Sequence, residues 1–437
     1  MCDERPFMKQ QRILFLLYYF APIKSIAVNR NWAITHYLRP YFEQNHVFTT
    51  SNNQLFPKEP RITEGVAITE IPTYDYRTFT HWLSPNRLDM HHSEGTKQHH
   101  IVNFLIRVLD SFPFNLLFHE GGLWYSIISF RRAARLIRRE KITHIYSSFR
   151  PMSDHFTAYL LKIRFPHLIW IADFRDLHTH PILKNVILPS FQHWCTQKIV
   201  RRATLLTTVS QGLADHLIRY NPRTYVLKSG IEWSKTQFSE TQYPLFTVAY
   251  TGSMYQNESD PTLLLQVVDY LVKKNILTAQ NFQIVYAGKD AAKWEEYITQ
   301  FNLNDFFNSK GLVTTSEAIT IQRKSHLNMV LSYASEQYKG DLSGKIYEYF
   351  AAQNPIIVLI KGVNDPEFDD FIANLTAGCV VYHNRSFDIL LKFFMEKLEE
   401  WQQTGRVAPM INMEKLKELE WSVQVKALME VLLNDKK

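Results

Sequence analysis

Short apolar runs rich in β-branched and aromatic residues alternate with helical patterns through most of this 437-residue chain. That rhythm constrains the fold more than any other feature. Parallel strands need crossover connections, usually helices, and are buried on both faces. In the first half, strands are predicted at Ile13–Tyr18, Val47–Thr50, Ala67–Ile71, Ile142–Ser147, Leu168–Ala172, Leu205–Val209 and Thr224–Leu227, with helices over Asn31–Phe42 and Ser153–Phe165. The rhythm pauses near Gly230, where Glu232–Pro244 is polar and without period. It restarts with strands at Phe246–Thr251, Phe282–Tyr286, Met329–Leu331, Pro355–Ile360 and Cys379–Tyr382. Two α/β domains of about 200 residues each are expected, over 1–235 and 246–410. Residues 75–112 interrupt the first as a polar and aromatic insertion read as a loop. A helix is expected over Met413–Leu433, within the terminal segment 411–437.

Glycine is scarce, and the first one is Gly65. A G-x-G-x-x-G dinucleotide loop after the first strand is therefore excluded, and no P-loop pattern occurs anywhere. Forty-nine basic residues against 42 acidic give +7, which suits an anionic partner such as a phosphorylated substrate or a membrane surface. No RNP, zinc-finger or basic-zipper pattern appears, so no nucleic-acid partner is expected. Cys2, Cys195 and Cys379 form neither a disulfide framework nor a metal motif, which points to a reducing cytoplasm. His91, His92, His99 and His100 cluster in the insertion, but as adjacent pairs without a Cys they read as solvated residues rather than metal ligands. The N-terminus is polar and has no signal-peptide pattern. The longest apolar run, Ile13–Ile23, is far short of the roughly 20 residues that span a bilayer. Any membrane contact is expected to be peripheral.

The most informative stretch is Asp341-Leu-Ser-Gly-Lys-Ile-Tyr-Glu348-Tyr-Phe-Ala-Ala-Gln-Asn-Pro355, followed by a buried strand. Ser343 and Gly344 are helix-start residues. The helix they open presents free N–H groups and a positive dipole end, an anion site to which Lys345 adds a full charge. Glu348, one turn in, can accept hydrogen bonds from both hydroxyls of a ribose. This arrangement is a nucleotide site without a P-loop; the alternative is simply a capped helix with a favourable first-turn Glu.

The stretch resembles the Gly-Lys-(Ile/Leu)-(Phe/Tyr)-Glu-Tyr signature of the family 4 retaining glycosyltransferases. Further blocks are similar to that family in the same order: Ile13-Leu-Phe-Leu-Leu-Tyr-Tyr-Phe-Ala-Pro22 with Arg30-Asn-Trp32, the 137–148 helix-to-strand block, Trp170-Ile-Ala-Asp173-Phe-Arg175-Asp176, Leu206-Thr-Thr-Val-Ser210, Tyr250-Thr-Gly-Ser253 and Tyr286-Ala-Gly-Lys289. The resemblance covers most of residues 12–383. It implies an α/β GT-B fold, with two Rossmann-like domains whose parallel sheets face across a cleft and a C-terminal helix packing back toward the N-terminal domain. It also implies transfer of a sugar, with retention, from a nucleotide-sugar substrate held by the C-terminal domain to a glycan or lipid-linked acceptor held by the N-terminal one. No metal and no separate cofactor are expected, and the setting is bacterial surface polysaccharide synthesis in the cytoplasm or at the inner membrane face. Gly252, Ser253, Ser343, Gly344, Lys345 and Glu348 are then the donor residues. Asp173, Arg175, Asp176 and His155 are the acceptor-side and catalytic candidates, though an Arg–Asp structural pair and a core histidine are the alternatives for these.

Two departures from the family pattern stand out. Gly340 occupies the position of the first Glu in the family's Glu-x7-Glu motif, Glu336 lies four residues too early, and Asp341 is the available substitute. Ile23-Lys-Ser-Ile-Ala-Val28 replaces the family's first-loop glycines, so Lys24 or Arg30 is expected on phosphate instead. The departures motivate two rival readings, a catalytically weak scaffold or binding subunit and a GT-B nucleotide-sugar epimerase. Arg131, Arg132, Arg135, Arg138 and Arg139 share a helix with Leu123, Trp124, Ile127 and Ile128. With the Phe112–Phe118 run before them, they read either as a solvated face or as a peripheral contact with anionic lipid.

Overall fold

The computed structural model describes residues 11–78, 98–180, 185–239, 241–254, 259–340, 342, 344–383 and 386–434. The chain divides into two units, one holding residues up to Lys228 and from Val425 onward, the other Ser229–Gln424.

The first unit is built on seven parallel strands: β1 (Arg12–Leu16), β2 (Gln44–Thr50), β3 (Ala67–Ile71), β4 (His144–Phe149), β5 (Ile169–Phe174), β6 (Leu205–Thr208) and β7 (Thr224–Val226). Their order is β3-β2-β1-β4-β5-β6-β7. Ile13 is in register with Asn45 on one side and His144 on the other, so the strand order reverses between β1 and β4. All six residues of β4 are buried, as expected of a strand covered on both faces. Helix Ile26–Leu38 follows β1, and Ser25 Oγ caps it by accepting from the Val28 N–H at 3.2 Å.

The second unit repeats the plan with six parallel strands: β8 (Phe246–Thr251), β9 (Phe282–Ala287), β10 (Phe307–Ser309), β11 (Leu327–Ala334), β12 (Ile356–Gly362) and β13 (Gly378–Tyr382). The order β10-β9-β8-β11-β12-β13 reverses between β8 and β11. Successive residues of one strand serve opposite cores. Met329, Ile357 and Leu359 join Val248 and Phe394 on one face, while Val330, Ile356, Val358 and Ile360 join Ile346 and Phe350 on the other. That is the period of two a pleated strand imposes.

Several expectations are corrected. Residues Gln98–Asp110, within the expected loop, are helical. The segment contains no Gly or Pro, and the helix stops short of Phe112-Pro113, where a proline forbids continuation. The C-terminal helix is two helices, Met413–Glu418 and Trp421–Asn434. Between them Leu419 C=O accepts from Ile231 N–H at 2.8 Å, and Trp421 N–H donates to Ile231 C=O at 3.2 Å. A Cβ on Gly230 would lie 2.5 Å from the Trp421 ring, so only glycine lets the chain pass here. β10 has three residues, too few for a periodic signal. The polar stretch after Gly230 lies along the second unit: Gln237 N–H donates to Ala351 C=O and Tyr243 N–H to Lys324 C=O.

Candidate functional site

In open parallel sheets, ligands bind beyond the carboxyl ends of the strands where the order reverses. In the second unit that point is the end of β8 beside β11. There Gly252 has φ +145°, and a Cβ on it would sit 1.4 Å from Lys345 Nζ. The ammonium therefore occupies the space a side chain would fill. It donates to Thr251 C=O at 2.6 Å. Burial lowers the Lys345 pKa, and the Glu348 and Asp290 carboxylates act against that shift.

Helix Gly344–Ala352 begins at this point. Ser343 and Asp341 lie outside the described residues. Glu348, one turn along, accepts from Gln322 Nε2 at 3.2 Å, and the same amide nitrogen donates to Thr251 Oγ1 at 2.8 Å. Tyr349 OH accepts from Thr251 N–H at 3.0 Å. Burial raises the Glu348 pKa, opposed by the Gln322 hydrogen bond and the Lys345 charge. Gln322 comes from the distant helix Thr315–Lys324 and is 1% exposed; nothing local in the sequence marks it.

The loop after β8 is tied to the loop after β9. Tyr286 OH donates to Gly252 C=O at 2.8 Å and accepts from Asp290 N–H at 2.9 Å, and Met254 N–H donates to Asp290 Oδ2 at 2.9 Å. Ser253 sits within this tie, its carbonyl accepting from Tyr250 OH at 2.7 Å. The site thus offers a rigid backbone turn, a cation, a helix start and a carboxylate one turn in. Such a set can hold a diphosphate at one end and a diol at the other.

Gly340, where the family pattern has Glu, has φ +70°. A Glu would be strained in this left-handed conformation. Its N–H donates to Asp365 Oδ2 at 2.7 Å. Asp365 is buried and caps helix Pro366–Leu375, its Oδ1 accepting from Phe368 N–H at 3.4 Å.

The first unit places its expected residues differently. Asp173, in β5, is fully buried: Arg30 Nη2 reaches Oδ1 at 2.8 Å, Arg30 Nε reaches Oδ2 at 3.0 Å, and Thr207 Oγ1 donates to Oδ1 at 2.7 Å. Arg30 is 4% exposed. These two residues form a buried ion pair inside the unit, with Arg30 rather than Arg175 as the partner of Asp173. His155 is also a core residue. It is fully buried between the Phe174 and Trp170 rings, and its Nδ1 meets Ser147 Oγ at 2.8 Å. Desolvation lowers its pKa to about 3. Arg175 Nε donates to Phe149 C=O at 3.2 Å. Asp176 and Lys24 are exposed.

Sequence reading missed the polar network at the β1–β4 reversal of this unit. Tyr18 OH donates to Asp75 Oδ2 and Tyr19 OH to Glu120 Oε1, each at 2.6 Å. Arg77 Nη2 donates to Glu120 Oε1 at 2.5 Å, and Arg150 Nη2 pairs with Asp110 at 3.3 Å. Burial works to raise the Glu120 pKa, but the His119, Arg77 and Arg150 charges hold it down to about 2. The one local signal was the Gly121-Gly122 pair after Glu120, which frees the chain to turn into the next helix.

His91 and His92 lie outside the described residues, as do the side chains of His99 and His100. Among the described residues no helix is long and apolar enough to cross a membrane.

The sequence matches no protein-family profile and no curated protein. Solved structures are similar in fold. A sucrose-phosphate synthase from Thermosynechococcus elongatus aligns with TM-score 0.63 at 11% identity, over 97% of this chain and 98% of its own. A glycosyltransferase from Rickettsia africae aligns with TM-score 0.59 at 12% identity, over 97% and 98%. A trehalose-6-phosphate protein from E. coli bound with UDP-2-fluoro glucose gives TM-score 0.59 at 12% identity, over 97% and 99%. The fold is therefore GT-B: an α/β chain with a seven-stranded and a six-stranded parallel sheet.

Proposed function

We propose that the chain is a glycosyltransferase that moves a sugar from a nucleotide-sugar donor to a glycan or lipid-linked acceptor. The observation that carries this reading is the constellation at the β8–β11 reversal: Lys345 Nζ against Gly252, and Glu348 held by Gln322. The diphosphate lies at the start of helix Gly344–Ala352, where N–H groups and the Lys345 ammonium stabilise the charge that builds on the leaving phosphate. That positive end does what a bound cation does in other transferases, so no metal takes part. Ser253 lines the same path, and Glu348 accepts from the ribose hydroxyls. In the first unit the accessible polar groups Asp176 and Arg175 are offered to the acceptor. Retention of configuration, a place in bacterial surface polysaccharide assembly and action at the inner membrane face complete the reading.

The burial of Asp173 and His155 favours a second reading, a GT-B subunit that binds a nucleotide sugar without transferring it. Calorimetry with UDP-, GDP-, ADP- and dTDP-sugars tests the donor site. Turnover of the bound sugar onto polyprenyl-phosphate or oligosaccharide acceptors supports the transferase. Binding without turnover supports the subunit, and absence of binding removes both.

A further inference from the structure

The first unit carries an exposed aromatic surface that the proposed chemistry does not use. Phe104, Phe118 and Trp124, with Leu188 and Trp194, are 50% exposed or more. Half of the strongly exposed large apolar side chains among the described residues fall within 104–124 and 187–194. Such concentration marks a binding surface, whereas isolated exposed residues do not.

The two segments lie against each other. Ile187 N–H donates to Ser111 Oγ at 2.9 Å, and Phe112 N–H donates to Gln192 Oε1 at 2.6 Å. The Phe112 and Phe191 rings meet edge to face at 5.7 Å, and Phe191 stacks on Trp194 at 5.9 Å. Lys198 Nζ lies 5.5 Å above the Trp194 ring. The exposed Phe191 and Trp194 rings and the Lys198 ammonium are thus neighbours on one surface.

Charge identifies the partner. Residues 98–124 and 185–202 hold Arg107, Lys198, Arg201 and Arg202 against two acids, Asp110 and Glu120. Both acids are buried: His119 and Arg150 pair with Asp110, and Arg77 with Glu120. The outward surface of these segments therefore presents bulky apolar groups and cations without a carboxylate.

We propose that this surface docks on the anionic face of a lipid bilayer, with Phe104, Leu188, Phe191 and Trp194 entering the headgroup–acyl boundary and Lys198, Arg201 and Arg202 facing the lipid phosphates. Aromatic and leucine side chains enter that boundary while the long cationic arms reach back to the headgroups. This surface differs from the arginine face read in the sequence. On helix Gly122–Glu140, Arg132 donates to Glu70 C=O, Arg138 lies over the Phe165 ring and Arg139 pairs with Glu140, so three of its five guanidinium groups are engaged within the unit.

Flotation of the full chain with vesicles tests the proposal without any donor or acceptor, so its result is separable from that of the transferase reading. Vesicles of phosphatidylglycerol and phosphatidylcholine should carry the protein at low salt, and phosphatidylcholine alone should not. Leu188→Ser with Trp194→Ser should reduce partitioning at least tenfold. Lys198→Gln, Arg201→Gln and Arg202→Gln should each cost roughly fivefold and weaken its salt dependence. Circular dichroism of each variant controls for folding; Leu188 and Trp194 are exposed, so the wild-type spectrum is expected. No flotation with anionic vesicles, or flotation indifferent to folded variants of both kinds, overturns the proposal. So does a dimer in light scattering that Leu188→Ser with Trp194→Ser converts to monomer without any vesicle binding, which would make a second copy the occupant.

Discussion

Asp173→Asn separates a structural carboxylate from a catalytic one. The native group is 0% exposed, its Arg30 partner is 4% exposed, and three hydrogen bonds of 2.7–3.0 Å converge on its oxygens. An amide keeps the shape but leaves the guanidinium charge uncompensated in the interior. Removing one partner of a buried pair costs about 3–5 kcal/mol. For a unit of this size 1 kcal/mol corresponds to roughly 2–4 °C, so a fall in Tm of roughly 6–20 °C is expected. Calorimetric melting of wild type, Asp173→Asn, Arg30→Met and the combined Arg30→Met, Asp173→Leu chain gives a double-mutant cycle. Each single change should lower Tm, and the combined apolar change should recover most of the loss, because neither charge is then stranded. The pH dependence has a definite sign. Burial opposes ionisation, but Arg30 holds the Asp173 pKa below its ordinary value. Its stabilisation is complete above the unfolded carboxylate pKa of about 4 and is lost as pH falls through the native value. Asp173→Asn should flatten that acid limb. An Asp173→Asn protein that melts with the wild type yet loses turnover would refute the structural assignment.

Other expectations concern the donor site. Glu348→Ala should weaken nucleotide-sugar affinity about 10- to 100-fold in calorimetry, the scale of hydrogen bonds to a charged group, with Tm little changed; unchanged affinity removes the ribose assignment. Burial raises the Glu348 pKa, so donor affinity should fall with decreasing pH from a higher pH than an exposed Glu would give, and Glu348→Gln should abolish that dependence. Gln322→Leu should weaken the donor by severalfold and shift the same pH profile, because the carboxylate loses a donor; a profile identical to wild type argues against a positioning role. Gly252→Ala should displace the Lys345 ammonium and strain the φ +145° turn, lowering donor affinity more than Lys345→Ala does; equal losses would mean that only the charge matters.

Most strands were legible because a sheet covered on both faces writes continuous apolar runs. Lys345 and Glu348 were legible because one short helix start carries both. Asp173 was not, because its partner lies 143 residues away in Arg30, whereas the sequence offers Arg175 next door. Gln322 was hidden for the same reason: its work is done across 26 residues, by a helix that reads as an ordinary surface element. The network joining Tyr19, Arg77 and Glu120 draws its members from three separated segments of the chain. Proximity along the chain is readable; convergence at the end of a sheet is not, because it depends on where strand order reverses.

Asp365 gives one carboxylate two loads. One oxygen caps helix Pro366–Leu375 and the other holds the left-handed turn at Gly340, just before helix Gly344–Ala352. Its own N–H donates to Tyr382 OH, which in turn donates to Asp369. A fluctuation that breaks this junction frees the helix start and the turn in the same event. The two segments should therefore open as one cooperative unit in native-state hydrogen exchange. Order around the donor would then be set partly by a helix that need not touch it.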